Sequence, residues 1–253
     1  MCIIVLKPAG EDLPATDILK NCHLNNPDGI GFMFRDDNGN VHIHKGYMVL
    51  ETFISAIDKY NKKYDLWARD VAIHFRYATH GGISRGNCHP FPITHNVKNL
   101  KKLHLTTHSA LMHNGIIREC SPGKNSTLSD TMMFAQILAG FKTTDNMMDL
   151  TELMHKNGGG KFVLMLREKI IITGDFIEDN GLYFSNSSYS YNTKWYNTKW
   201  PWDDEKPIEA DAAEWEEWID EQIEKDPDIL DTLSDDEFEY YLYRMNKRKA
   251  IKD

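Results

Sequence analysis

Four consecutive apolar residues, Ile3-Ile4-Val5-Leu6, directly follow Cys2 and end at Pro8 and Gly10. An unbroken apolar run of this length, closed by turn residues, reads as a short buried strand. It puts a thiol at the head of that strand, one residue behind Met1. If Met1 is removed, Cys2 carries both a thiol and a free α-amine. The thiolate is the strong nucleophile, and an α-amine with an unperturbed pKa of about 7.7–8.0 is partly neutral near pH 7. One residue then supplies a nucleophile and the base that activates it. Cysteine is small enough for removal of the preceding methionine to be expected. Many chains begin Met-Cys, so the weight of this pair depends on whether an oxyanion site and substrate clamps lie elsewhere.

The rest of residues 1–190 reads as strands broken by helices. Gly29–Phe34 and Val41–Ile43 flank Asp37-Asn38-Gly39-Asn40, a hairpin with turn chemistry in its middle. Leu50, Phe53, Ile54, Ile57 and Tyr60 fall at helical spacing. Val71–Tyr77 and Leu103–Met112 read as strands, Phe162–Leu166 and Ile170–Thr173 as a pair, and Gly181–Ser185 as a further strand. Met133, Phe134, Ile137 and Leu138 share one helix face that stops at Gly140. This order predicts a layered α+β domain rather than alternating βαβ units.

Near residue 190 the character changes. Tyr191-Asn192-Thr193-Lys194-Trp195 is repeated at once as Tyr196–Trp200, too short a period for a structural repeat. Residues 191–206 therefore read as an aromatic linker or loop. Residues 207–253 read as an acidic helical C-terminal extension. Ile208, Ala212, Trp215, Ile219 and Ile223 stripe one helix, and Ser234–Glu237 resembles a capping box before a second. These helices either pack on the main domain or serve as a docking element for a partner protein.

The formal net charge is −9, but residues 201–239 hold 18 acidic and 2 basic side chains, so the acidity belongs to the C-terminal segment. No basic stripe with interleaved aromatics marks a nucleic-acid groove in the main body. No apolar run approaches bilayer-spanning length, and the N-terminus lacks signal-peptide order. Cys2, Cys22, Cys88 and Cys120 are widely spaced without a CxxC pattern, which suits reduced thiols in a cytoplasm. The 11 histidines include no HExxH, and Cys22-His23 and Cys88-His89 lack matching second pairs, so no metal is expected.

Three runs carry chemistry. His74–Gly82 ends a strand and enters a glycine-rich turn with Arg76, Thr79 and His80 close together. An arginine fork matches a carboxylate bidentately. His113-Asn114-Gly115-Ile116-Ile117 places an amide next to a glycine N–H, one way to build an oxyanion site at a turn. Ser129-Asp130-Thr131 opens a helix and offers a carboxylate. Singly, each has an ordinary structural explanation: a turn, a helix start, a surface ion pair.

Taken together with Asn26-Pro27-Asp28-Gly29-Ile30-Gly31 and Asn87-Cys88-His89-Pro90, these motifs make the chain resemble the glutamine amidohydrolase domain of class II glutamine amidotransferases. That family lies within the N-terminal-nucleophile hydrolases. The resemblance covers roughly residues 2–190 and agrees in order, spacing and residue type. It implies a four-layer αββα sandwich, here with a helical C-terminal extension. Cys2 would attack the side-chain amide of L-glutamine, with its own α-amine as base and then acid. Asn114 and Gly115 would hold the oxyanion, Arg76 the α-carboxylate and Asp130 the α-ammonium. Tyr77, Thr79, His80 and Gly81 would line and order the pocket, and His89 would be structural. Tyr77 stands where many members carry tryptophan, and the Asn25-Asn26 stretch lacks a frequent arginine. No cofactor is implied. About 60 residues follow the match, too few for a synthase domain of usual size, so ammonia is expected to pass to an acceptor on a separate protein. Two other readings stay open: an N-terminal-nucleophile amidase for another amide, and a non-catalytic binding or regulatory protein that keeps the fold.

Overall fold

A computed structural model of the protein describes residues 2–190 apart from 79–81, 124–125 and 142. The 191–206 linker and the 207–253 extension expected from the sequence lie outside the described residues, as do Thr79, His80 and Gly81.

Strand β1 (Ile3–Lys7) is buried along its whole length. Helix α1 (Thr16–Asn25) follows, then the hairpin β2 (Ile30–Arg35) and β3 (Val41–Tyr47), helix α2 (Leu50–Tyr64) and β4 (Val71–Phe75). Next come β5 (Phe91–Pro92), the short α3 (Val97–Leu100), β6 (His104–Thr107) and β7 (Ser109–Asn114). Helices α4 (Asp130–Leu138) and α5 (Thr144–Met154) precede β8 (Lys161–Leu166), β9 (Ile170–Thr173), β10 (Ile177–Asp179) and β11 (Leu182–Phe184). The strands form two antiparallel sheets of a mixed α+β fold. One has seven strands in the order β10-β11-β1-β4-β2-β3-β6, the other four in the order β5-β7-β8-β9.

Strand periodicity explains the packing. Side chains alternate between faces, so Ile3 and Val5 join one apolar cluster while Ile4 and Leu6 join another. The first cluster gathers Phe32, Phe34, Ile73 and Phe75 against Leu19 and Cys22 of α1 and Leu50, Phe53 and Ile57 of α2. The second unites both sheets, with Met33, Ile43 and Ala72 from one and Ala110, Met112, Val163 and Met165 from the other. A third packs Leu111, Phe162 and Leu164 against Met132, Phe134, Ala135 and Leu138 of α4 and Met154 of α5. A strand apolar on both faces belongs in the middle of such a stack, and β1 lies there. At its far end Lys7 is fully buried, and its Nζ donates to the carbonyls of Leu66 (2.6 Å), Trp67 (2.8 Å) and Arg69 (2.8 Å). Three acceptors saturate the three donors of an ammonium.

The structure divides the stretch expected as one strand over Leu103–Met112. β6 pairs with β3 and β7 pairs with β5 and β8, so the chain leaves one sheet for the other at His108. The predicted strand over Val71–Tyr77 ends at Phe75, which releases Arg76 and Tyr77 into the following loop. Among the described residues, no helix is long and apolar enough to cross a membrane.

Candidate active site

The ladder between β1 and β4 fixes where Cys2 lies. Its last pair is Ile3 with Phe75, so the next residue back meets the loop that begins at Arg76. Tyr77 N–H donates to Cys2 Sγ at 3.2 Å, and the thiol reaches the Tyr77 carbonyl at 3.5 Å. Asn186 Nδ2 donates to the Cys2 carbonyl at 2.7 Å and holds the strand's head from the other side. The thiol is half-buried, and this burial pushes its pKa above the ordinary value. The Tyr77 N–H, the positive chain terminus and the Arg76 guanidinium pull it back without cancelling the shift.

Arg76 is only 5% exposed, and its Nη2 donates to the Gly82 carbonyl at 2.8 Å. Its backbone is tied to the turn before β2, with Arg76 N–H donating to Gly29 O and Asp28 N–H to Arg76 O. The Asp28 carboxylate accepts the Ala78 N–H at 2.7 Å. The loop that leaves β4 is therefore held at its first three residues and again at Gly82. Tyr77 contributes its backbone to Cys2, while its side chain is exposed.

Asn114 ends β7 and is buried. Its Nδ2 donates to Ser185 Oγ at 2.8 Å, and the same oxygen accepts the Ile4 N–H at 2.8 Å. One hydroxyl thus separates the Asn114 amide from the strand that carries Cys2. A primary amide has two N–H donors, so the second Asn114 proton remains for another acceptor. Gly115 follows where no side chain fits, since a Cβ would lie 2.6 Å from Gly160 Cα and 2.7 Å from Gly159 O.

His113 anchors this turn. Its Nε2 meets the Gly159 carbonyl at 2.5 Å and its Nδ1 meets the Thr131 hydroxyl at 3.0 Å. A carbonyl only accepts, so Nε2 carries the proton and Nδ1 accepts from Thr131. Burial lowers the His113 pKa, and neither the nearby Asp130 nor the bond to Gly159 restores it. Its ring stacks on Phe162 at 4.6 Å. The neighbouring Thr131 brings in Asp130, the first residue of α4, whose carboxylate accepts from Ile117 N–H at 2.8 Å and from Thr131 N–H at 2.7 Å. A carboxylate at a helix start is favoured by the unsatisfied N–H groups there.

His89 is a packed imidazole, close enough to His113 and Arg76 for both to disfavour its charged form. Its ring lies 4.1 Å from the His74 ring and 4.6 Å from Phe91, and burial lowers its pKa well below the ordinary value. Gly31 makes room for it, because a Cβ there would collide with the His89 carbonyl. Among the described residues, no group of three or more His, Cys, Asp or Glu side chains is arranged to hold a metal ion.

The structure brings Cys2, Arg76 and Tyr77 together and ties Asn114 to β1. It joins Asp130 to the Asn114–Gly115 turn through Thr131 and His113. Sequence reasoning missed Ser185 and Asn186. Both follow directly on β11, and small polar residues at a strand end carry no motif; the one signal is that a strand read over Gly181–Ser185 ends on a hydroxyl.

No family model and no curated protein matches the chain. Among solved structures it is similar to the glutamine phosphoribosylpyrophosphate (PRPP) amidotransferase from B. subtilis, complexed with ADP and GMP, at 16% sequence identity and a TM-score of 0.43. The similarity takes in 73% of this chain and 41% of that one, so the chain spans less than half of that protein's length.

Proposed function

We propose that residues 2–190 form a glutamine amidotransferase domain of the N-terminal-nucleophile type, a four-layer αββα sandwich that hydrolyses L-glutamine to glutamate and ammonia. The carrying observation is the half-buried Cys2 thiol on the Tyr77 N–H, with the Asn114 amide one hydroxyl away from β1. The layer order is supported by three apolar clusters, one of helices on the first sheet, one between the sheets and one of helices on the second.

The reaction requires a chain that starts at Cys2. Its α-amine takes the thiol proton as Sγ bonds to the amide carbon of glutamine, and the carbonyl π electrons move onto oxygen. Asn114 Nδ2 and the Gly115 N–H stabilise that oxyanion. Collapse breaks the C–N bond, the protonated amine gives its proton to the departing nitrogen, and ammonia leaves a thioester on Cys2. Water then attacks the thioester, which returns the thiol and releases glutamate. Arg76 binds the α-carboxylate and Asp130 the α-ammonium, so the two end charges of a free amino acid each meet an opposite charge. Thr79 and His80 line the pocket and order its covering loop in this reading. Ammonia goes to an acceptor on a separate cytoplasmic protein, for which residues 207–253 are the docking element.

The test begins with the intact mass of the purified chain, which reports whether Met1 is gone. Glutamate release from glutamine, lost in Cys2→Ala, is the expected result. Retention of Met1 in nearly every molecule, or activity confined to peptides and acyl amides, would overturn it. Loss of a co-purifying protein on deleting residues 207–253 tests the docking element.

A further inference from the structure

Ser185 is 1% exposed and joins three elements of the site. Its Oγ accepts the Ile4 N–H and one Asn114 Nδ2 proton, both at 2.8 Å. A hydroxyl has two lone pairs, and these two donors occupy both. Its N–H also donates to the Ile4 carbonyl at 2.9 Å, so Ser185 is bonded in both directions to the residue two after the nucleophile. Its own carbonyl accepts from Lys161 Nζ at 2.7 Å, and that ammonium also donates to the Asp175 carbonyl. Lys161 is the ladder partner of Asn114 across β7 and β8. The connections close on themselves: Asn114 to Ser185 by side chain, Ser185 to Lys161 by ammonium, Lys161 to Asn114 by register.

An amide that donates one proton to a fixed acceptor has its plane fixed, and the second proton then has one direction. We propose that Ser185 is the positioning residue that aims the Asn114 amide at the oxyanion formed on the carbon attacked by Cys2, with Lys161 holding Ser185 in place. The inference rests on the amide-hydrolysis reading above. Ser185 touches neither substrate nor thiol; it acts through Asn114 and through the strand of the nucleophile. A misaimed donor weakens the transition state more than the ground state, so the loss falls on kcat rather than KM.

The experiment compares Ser185→Ala, Asn114→Ala and the double variant by glutamate release, with urea unfolding to confirm a folded chain. Ser185→Ala is expected to lower kcat by about 10- to 100-fold with KM within about threefold, somewhat less than removal of an oxyanion donor itself. In the Asn114→Ala background the same change is expected to cost less than about twofold, because its target is already gone. Kinetics within twofold of the parent, or losses that multiply in the double variant, would overturn the inference. Ser185→Cys keeps the shape with a weak acceptor and is expected to behave like Ser185→Ala should the alanine variant not fold. The second measurement is independent of turnover: the side-chain amide resonances of Asn114 in the NMR spectrum, assigned by their absence in Asn114→Ala. One proton is expected to exchange slowly in the parent and quickly in both Ser185 variants. An unchanged pair would overturn the positioning role even in a chain that hydrolyses no glutamine, which separates this failure from failure of the function.

Discussion

Gly160 is packed so closely on Asn114 that a Cβ built on it would collide with the Asn114 carbonyl, and would lie 2.7 Å from Gly115 Cα and 2.9 Å from His113 Nε2. Its φ of +99° is also a conformation that L side chains rarely adopt. The Asn114–Gly115 turn therefore has its shape because the facing backbone, Gly159–Gly160, carries no side chains. Gly160→Ala is expected to destabilise the domain by about 2–4 kcal/mol, from overpacking and strain together. It should also displace Asn114 and Gly115, the proposed oxyanion donors. Urea unfolding and glutamate release on the same preparation check both, and a variant with normal values for each would show that the turn tolerates the shift.

The sequence makes some of this arrangement visible and hides the rest. The apolar run of β1 and the hairpin about Asp37–Asn40 are local patterns, and the structure keeps them. Helix α4 forms where its pattern puts it, but its buried face is Thr131, Met132, Phe134, Ala135 and Leu138, so of the expected stripe Ile137 is exposed and Met133 only partly buried. The Leu103–Met112 stretch lacks a Gly or Pro, so nothing in its pattern announces that the chain changes sheet at His108. Helix α1 was hidden by composition, because only Leu19 and Cys22 of its ten residues are buried. Asn114 was readable from the Asn-Gly pair; its partner Ser185 lies 71 residues away and Asn186 lies 184 residues from Cys2. Those contacts are products of strand order, and strand order is a property of the whole chain.

Lys7 offers a test of the core that is remote from the chemistry. Burial lowers its pKa to about 8, which leaves it charged at pH 7 with three carbonyl acceptors. Lys7→Met keeps the length of the side chain and removes every donor. Carbonyls left without a partner in a buried site cost about 1–3 kcal/mol each, and water reaches part of this cluster. A loss of about 3 kcal/mol is expected, or roughly 6–12 °C in Tm for a domain of this size. A thermal melt reads it, and an unchanged Tm would mean the three carbonyls find other donors.

Acid should unfold the domain before its carboxylates titrate. Burial lowers His44 to about 2 and His74 to about 3, so both are neutral in the folded state. His44 is enclosed by Phe32, Tyr60 and His104, and His74 donates to the His113 carbonyl. In the unfolded chain each returns to about 6.5. Between that value and about 3 the unfolded state binds more protons, so stability falls as pH drops below 6.5 and is unaffected by these groups above it. The loss approaches roughly 1.4 kcal/mol per histidine per pH unit. Urea midpoints at pH 7 and pH 5 measure it, and equal midpoints would mean that these imidazoles can charge in place.

Cys2 itself separates two pH profiles. Burial raises its thiol pKa, and the Tyr77 N–H and Arg76 oppose that rise only in part. Alkylation by a small neutral reagent such as iodoacetamide needs the free thiolate. Its rate should still be climbing above about pH 8.5, the ordinary thiol value. Arg76→Met removes one of the opposing charges and should push this profile further up. In the proposed mechanism glutamine turnover differs, because there the α-amine takes the proton, and its profile should level off near that group's ordinary value of about 8. Two profiles displaced in this order, alkylation above turnover, are the expected result. Coincident profiles, or alkylation that saturates below about pH 8, would mean that Cys2 holds a preformed thiolate and that burial does not govern its charge.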